Sequence, residues 1–180
     1  MIESKSRCWD NVFGYLEADM TKGLINLCDK WIKKDMIGVE IGSFAGVSSK
    51  VISYYCYKLT CIDPWVIGCD LGYKEISRDK IMLAEHKFDL MLQTCKNIEK
   101  VVGFSLDVCK KFDNNTLDFV YIDGAHDYES SYLDLISWKY KVKVGGLLMG
   151  HDKGLIEKSL KDANIVVVDE FCDTSWVSIK

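Results

Sequence analysis

The chain is short of basic charge, of proline, and of cysteine in any ligand or redox spacing. Lysine and arginine number 23 against 27 aspartates and glutamates, for a formal net charge of −4 and a pI of about 5.4. That balance argues against a general affinity for nucleic acid phosphates, which favours a basic face. Eight cysteines are present, at 8, 28, 56, 61, 69, 95, 109 and 172. No two of them form Cys-x-x-Cys, and no Cys/His group has zinc-ribbon spacing. Most lie in apolar runs such as Tyr55-Cys56-Tyr57 and Thr60-Cys61-Ile62. They read as small buried hydrophobes in a reducing compartment rather than as a disulfide framework. No apolar run approaches the roughly 18 residues of a membrane span, and the first seven residues are not followed by the apolar core of a signal peptide. The expectation is a cytoplasmic protein with no membrane partner. Proline occurs once, at Pro64, and no linker, repeat or low-complexity tract divides the chain.

What is present suits one domain. Hydrophobic residues make up 48% of 180 residues, enough to bury a core. The reading is a single domain over 1–180, with 1–35 as an N-terminal helical segment. Residues 21–33 carry Leu24, Ile25, Leu27, Cys28, Trp31 and Ile32 on a broad apolar stripe, which predicts a helix. Strand and helix patterns then alternate. Strands are predicted at 36–41, 59–62, 100–103, 117–122, 146–149, 165–168 and 176–179. Helices are predicted after the first strand (Val47, Val51, Tyr54 and Tyr55 on one face) and at 80–94, 128–140 and 155–163. Repeated βα units on short connections imply an α/β fold with a doubly wound, mostly parallel, seven-stranded sheet. The short polar turn at 170–174 predicts an antiparallel last strand. The stretch 65–79 is longer than an ordinary connection and is expected to be a lid or binding loop.

The most informative segment is 39–49, Val-Glu-Ile-Gly-Ser-Phe-Ala-Gly-Val-Ser-Ser. An apolar strand ends at a glycine, a turn of small residues follows, and a helix opens at Gly46. This arrangement aims backbone N–H groups at a ligand. A dinucleotide fingerprint needs glycine at 42, 44 and 47, and Phe44 and Val47 stand there instead. The pattern is Glu40-x-Gly42-x-x-x-Gly46; an ordinary βα turn with two glycines is the plainer reading. Ligands in such sheets bind beyond the carboxyl ends of the strands. Those ends are Glu40 to Ser43, Asp63, Ser105 to Asp107, Asp123-Gly124-Ala125-His126 and His151-Asp152. Two of the chain's three histidines lie among them. Asp63 can accept two hydrogen bonds from a ribose diol, or cap the turn before Pro64; the two roles are compatible.

Glu40-x-Gly42-x-x-x-Gly46 resembles the first motif of class I S-adenosylmethionine (SAM) methyltransferases. The stretch 118–129, Asp-Phe-Val-Tyr-Ile-Asp-Gly-Ala-His-Asp-Tyr-Glu, resembles the fourth-strand motif of small-molecule and sugar O-methyltransferases (methyltransferase family 24-like). Downstream, Asp134, Trp138, Val144-Gly145-Gly146 and His151-Asp152 keep that group's order. Asp63-Pro64-Trp65 with Gly68 and Asp70 is similar to its second-strand segment. The likeness spans about residues 20 to 180 and implies a Rossmann-like SAM methyltransferase fold.

The resemblance implies roles. Gly42, Ser43 and Gly46 let the backbone approach the methionine part of SAM, and Glu40 supports the loop or the amine. Asp63 takes the ribose hydroxyls, Ser105 and Leu106 lie near the adenine, and Trp65 covers cofactor or substrate. In metal-dependent members, residues matching Asp123, His151 and Asp152 hold a divalent cation such as Mg or Mn. Catechol-type members carry a Lys at the position of His126, which makes His126, with Asp123, the candidate catalytic pair. The sequence departs from these relatives at His151, where catechol-type enzymes carry Asp, and at Ala125, where some sugar methyltransferases carry an Asp proposed as base. Imidazole at 151 suits Mn, Fe or Zn better than Mg.

The implied acceptor is a small-molecule hydroxyl, with a sugar as one candidate, and a homo-oligomer is left open. Methyl transfer is an in-line displacement at a sulfonium carbon, so the acceptor must be aligned and lose a proton. Three alternatives stand beside this. Asp127 can cap the helix after the fourth strand, with the histidines as hydrogen-bonded loop residues and no metal. The chain can be a non-catalytic SAM-binding or partner-binding module. It can methylate nucleic acid, but such enzymes commonly carry Asn/Asp-Pro-Pro-aromatic at the end of the fourth strand, where Asp-Gly-Ala-His stands here.

Overall fold

The computed structural model describes residues 21–66 and 77–180. Residues 1–20 and most of the expected lid at 65–79 lie outside them. The helices are α1 (Lys22–Trp31), α2 (Val47–Ser53), α3 (Arg78–Leu92), α4 (Ser105–Cys109), α5 (Tyr128–Lys139) and α6 (Glu157–Asp162). The strands are β1 (Ile37–Ile41), β2 (Lys58–Asp63), β3 (Ile98–Val102), β4 (Leu117–Ile122), β5 (Val142–Gly150), β6 (Asp169–Glu170) and β7 (Trp176–Ile179).

These strands form one seven-stranded sheet in the order β3-β2-β1-β4-β5-β7-β6. Strands β1 to β5 pair in parallel, and β7 runs antiparallel to both β5 and β6. The expected doubly wound sheet with an antiparallel last strand is therefore present. The apolar stripe of α1 packs with α2, α3, Leu59, Cys61, Phe119, Tyr121 and Met149 on one face. Helices α4, α5 and α6 cover Val39, Ile41, Val120, Ile122 and Leu148 on the other. Side chains that alternate along each strand thus feed two separate cores. Phe119, Trp138 and Trp176 have no solvent exposure. Cys28, Cys56, Cys61 and Cys109 are buried, as expected of small hydrophobes, while Cys172 is exposed. Among the described residues, no helix is long and apolar enough to cross a membrane.

Three elements differ from their sequence patterns. Helix α4 has five residues, too few for an apolar period to register. Strand β5 starts at Val142 rather than Gly146 because its register against β4 slips between Leu117 and Phe119. The slip places Gly145 at φ 78° and leaves Val144 in solvent, as a bulge does. The sixth strand is Asp169–Glu170 rather than the apolar run 165–168. Its place is set by hydrogen bonding to β7, which begins with Val168 N–H donating to the Val177 carbonyl at 2.8 Å.

The chain order reverses between β1 and β4, the topological switch point of the sheet, where ligand clefts form. Backbone bonds continue the ladder one residue past the strands there. Gly42 N–H donates to the Ile62 carbonyl (2.9 Å), Asp123 N–H to Ile41 (2.9 Å), His151 N–H to Ile122 (3.1 Å) and Gly103 N–H to Asp63 (3.0 Å). Five strand ends, β1 to β5, are thereby locked into one rim.

Candidate active site

The loop after β1 is built for close backbone approach. Gly42 has φ +85°, and a Cβ there would lie 2.0 Å from the Asp123 carbonyl oxygen. Only glycine lets β1 and β4 touch at this point. Gly46, at φ 83°, opens α2 as its N-terminal flanking residue. Beneath the loop, Glu40 is wholly buried. Ser43 Oγ donates to its Oε2 at 2.8 Å, and Ser49 Oγ donates to the same oxygen. Its Oε1 has no hydrogen-bond partner. Burial raises the Glu40 pKa, against the opposing effect of the serine hydroxyls.

Asp63, at the end of β2, folds the same loop down. Its Oδ2 accepts from Phe44 N–H at 2.9 Å, and its Oδ1 accepts from Trp65 N–H at 2.8 Å. The turn-capping role is thus real, and each carboxylate oxygen keeps a further lone pair for a ligand hydroxyl. Burial raises its pKa, partly offset by these two amides. Trp65 Nε1 donates to the Phe44 carbonyl at 2.9 Å, and its ring lies 5.1 Å from that of Phe88, centroid to centroid. Trp65 is a buried residue that pins the glycine loop from below. Phe44 and Trp65 both take left-handed backbone angles, φ 41° and 45°, a conformation that bulky residues hold only when their surroundings enforce it.

Ser105, expected beside an adenine, turns its hydroxyl inward. It donates to Asp134 Oδ1 at 2.5 Å and accepts from Trp138 Nε1 at 2.7 Å. What it offers a ligand is therefore backbone, together with Leu106 of the same turn. The sequence gives Asp134 and Trp138 no role of their own; the signal for one is a carboxylate beside Leu135 and one turn from Trp138 on the buried side of the helix.

Across the switch point, the ends of β4 and β5 bring four titratable groups together. His126 Nε2 lies 2.7 Å from Asp152 Oδ2 and 3.9 Å from Asp123 Oδ1. His151 Nδ1 lies 3.2 Å from Asp152 Oδ2 and 3.8 Å from Asp123 Oδ1. Asp152 has φ 52°, another left-handed residue at a functional rim. Asp127 caps α5, accepting from Ser130 N–H at 3.0 Å; that capping leaves His126 facing the two carboxylates. Burial pushes the Asp123 carboxyl up to about 6. For His151, burial opposes the charged form, but the charges of Asp123 and Asp152 outweigh it and raise the pKa.

Donor atoms of Asp123, His126 and Asp152 all fall within 4.8 Å of one another. The three-residue group that converges thus includes His126, while His151, the imidazole that the resemblance implies as a ligand, has its Nδ1 3.8 Å from Asp123 and 3.2 Å from Asp152. Two carboxylates and an imidazole are a donor set that fits Mn, Fe or Zn.

A family model described as a methyltransferase domain matches residues 39–153, well over half of the chain. Solved structures share the fold at low identity. A SAM-dependent methyltransferase from Aquifex aeolicus has a TM-score of 0.59 at 17% identity, covering 97% of this chain and 95% of its own. A precorrin-6y C5,15-methyltransferase from Geobacter metallireducens has a TM-score of 0.61 at 11% identity, covering 94% and 92%. A phosphoethanolamine N-methyltransferase from Haemonchus contortus, solved with S-adenosylhomocysteine, has a TM-score of 0.55 at 12% identity, covering 84% of this chain and 32% of its own. Their named substrates differ, so the shared fold leaves the acceptor open. Matched along its central two-thirds and folded as the family's sheet is, the chain belongs to the methyltransferase-domain family, with the architecture of a class I SAM-dependent methyltransferase.

Proposed function

We propose that the protein transfers the methyl group of SAM to a hydroxyl of a small molecule, with His126 as the base. The single observation that carries this reading is the 2.7 Å pairing of His126 Nε2 with Asp152 Oδ2, on the rim shared with Gly42 and Asp63. SAM supplies an electrophilic methyl on a sulfonium sulfur. The chain's part is to hold the cofactor and prepare the acceptor. Backbone at Gly42, Ser43 and Gly46 lies against the methionine portion, with Glu40 beneath it. Asp63 takes the ribose, and Ser105 and Leu106 flank the base. Asp152 orients the His126 imidazole through its contact with Nε2, as a carboxylate does for a general base. His126 takes the hydroxyl proton on Nδ1 as the oxygen attacks, since Nε2 is held by Asp152; Nδ1 is buried in this structure, so the acceptor has to displace the groups that cover it. An imidazole near neutrality suits that transfer.

A second reading has its own support in the convergence of Asp123, His126 and Asp152, with His151 alongside. These residues would hold a divalent cation, which would orient the acceptor oxygen and lower its pKa. An imidazole bound to that cation could not also act as base.

The test is turnover of SAM to S-adenosylhomocysteine with a panel of sugars, catechols and other small hydroxyl compounds. Methyl transfer to oxygen, lost in His126→Ala with SAM binding retained, is the expected result. Binding of NADH in place of SAM, or full activity of His126→Ala, would overturn the reading.

A further inference from the structure

The buried face of α5 carries a carboxylate that methyl transfer itself does not use. Asp134 is 6% exposed and Trp138 fully buried, beside Ser131 and Leu135. Its Oδ1 accepts from Ser105 Oγ at 2.5 Å, and Trp138 Nε1 donates to that same hydroxyl at 2.7 Å. The hydroxyl is therefore fixed from two sides, and with it the first turn of α4. On the other side of the carboxyl group, Oδ2 faces the loop after β4, 3.7 Å from where a Cβ on Gly124 would stand. Strands β3 and β4 are not neighbours, since β2 and β1 lie between them. Asp134 stands on α5, the helix into which the loop after β4 runs, so its bond to Ser105 ties together two rim segments that the sheet holds apart.

We propose that Asp134 is a positioning residue. Through its bond to Ser105 it sets the β3–α4 corner that flanks the cofactor's base against α5 and the Asp123–His126 loop that leads into it. It touches neither ligand and acts through Ser105. A neutral or charged carboxyl group serves equally in this role, because Ser105 needs only an acceptor oxygen. The proposal rests on the SAM-binding reading for its functional consequence. Its structural core, coupling of the two loops, stands without any ligand.

Two arms test it. In the ligand-free protein, Ser105→Ala and Asp134→Ala are compared with wild type by backbone and imidazole NMR. Each should shift Gly124 and His126 by more than a line width, although Ser105 is bound to Asp134 and Trp138 rather than to that loop. In the second arm, SAM affinity is measured by calorimetry. Each single variant should weaken it about tenfold, and the double variant by little more than either, as for two residues in one network. Asp134→Asn keeps the acceptor oxygen and should restore most of the affinity. Shifts confined to α4 in Ser105→Ala, additive losses in the double variant, or an Asp134→Asn as poor as Asp134→Ala would overturn the proposal. Should wild type bind no SAM, the cofactor reading fails, while the ligand-free shifts still decide the coupling. Ser105→Ala removes one hydroxyl, and Asp134→Asn keeps the acceptor oxygen for Ser105, so the test survives a misfolded Asp134→Ala.

Discussion

His126 Nε2 and Asp152 Oδ2 stand 2.7 Å apart, although one residue follows β4 and the other β5. Parallel pairing of Ile122 with Gly150 brings the two loops side by side. Because the pair sits on the rim rather than in the core, its loss should affect chemistry more than folding. His126→Ala should lower kcat by about 10²- to 10⁴-fold, the range for loss of a general base. SAM affinity should change by less than about twofold. Asp152→Asn should lower kcat less, since it disorients the base without removing it. Steady-state kinetics with parallel SAM titration will check this; equal loss of kcat and SAM affinity would count against a base.

The same cluster makes a prediction about metal. If the group of Asp123, His126 and Asp152 works through a cation, EDTA should abolish turnover and Mn should restore it better than Mg, given the imidazole donor. If His126 is the base, activity in EDTA should equal that in added Mn. Assaying dialysed enzyme under both conditions separates the two modes.

Trp65 should tune cofactor affinity from below the loop. Trp65→Phe keeps the ring that packs on Phe88 but removes the hydrogen bond to the Phe44 carbonyl. A bond of this kind contributes about 1 kcal/mol to stability, so Tm should fall by about 2–4 °C and the SAM Kd should rise as the loop loses its anchor. Calorimetry and thermal melts will check both halves. A large fall in Tm with unaltered affinity would assign Trp65 to the core alone.

Gly42→Ala should be costly. The added Cβ would collide with the Asp123 carbonyl carbon and oxygen, at a φ of +85° that alanine disfavours. A loss of at least about 2 kcal/mol is expected from strain and from parting β1 and β4. Urea unfolding measures this directly. A variant as stable as wild type would mean that the loop relaxes at no cost.

Asp134 should also mark the pH dependence of stability. Burial holds its carboxyl at about 6, despite the opposing bond from Ser105. The folded state therefore keeps a proton that the unfolded chain releases near pH 4. The stability this contributes is complete below the unfolded pKa and is lost as pH rises through 6. Asp134→Asn cannot titrate. The stability of wild type relative to Asp134→Asn should therefore fall between pH 4 and 7, by up to about 3 kcal/mol for a shift of roughly two units. Parallel stability–pH curves for the two proteins would refute the raised pKa.

Much of this molecule was legible before any coordinates. The bounds of β4 and β7 match their sequence patterns because each is an apolar run ended by turn-forming residues. The mostly parallel sheet follows from alternating βα periods and the right-handed rule for crossovers. The Glu40-to-Gly46 loop and the acidic strand ends were visible because the need for small residues and carboxylates at a βα switch point is a local one. Tertiary structure alone decided the rest, because it depends on contacts distant in the chain. The sixth strand moved to Asp169–Glu170 because β7 selects which residues it bonds. Ser105 turned inward because a carboxylate 29 positions away accepts its hydrogen. That His126 reaches Asp152 across the two strand ends was likewise settled by the register of β4 on β5. Propensity and period act over a few residues, whereas strand pairing and buried polar partners are chosen by packing across the whole sheet.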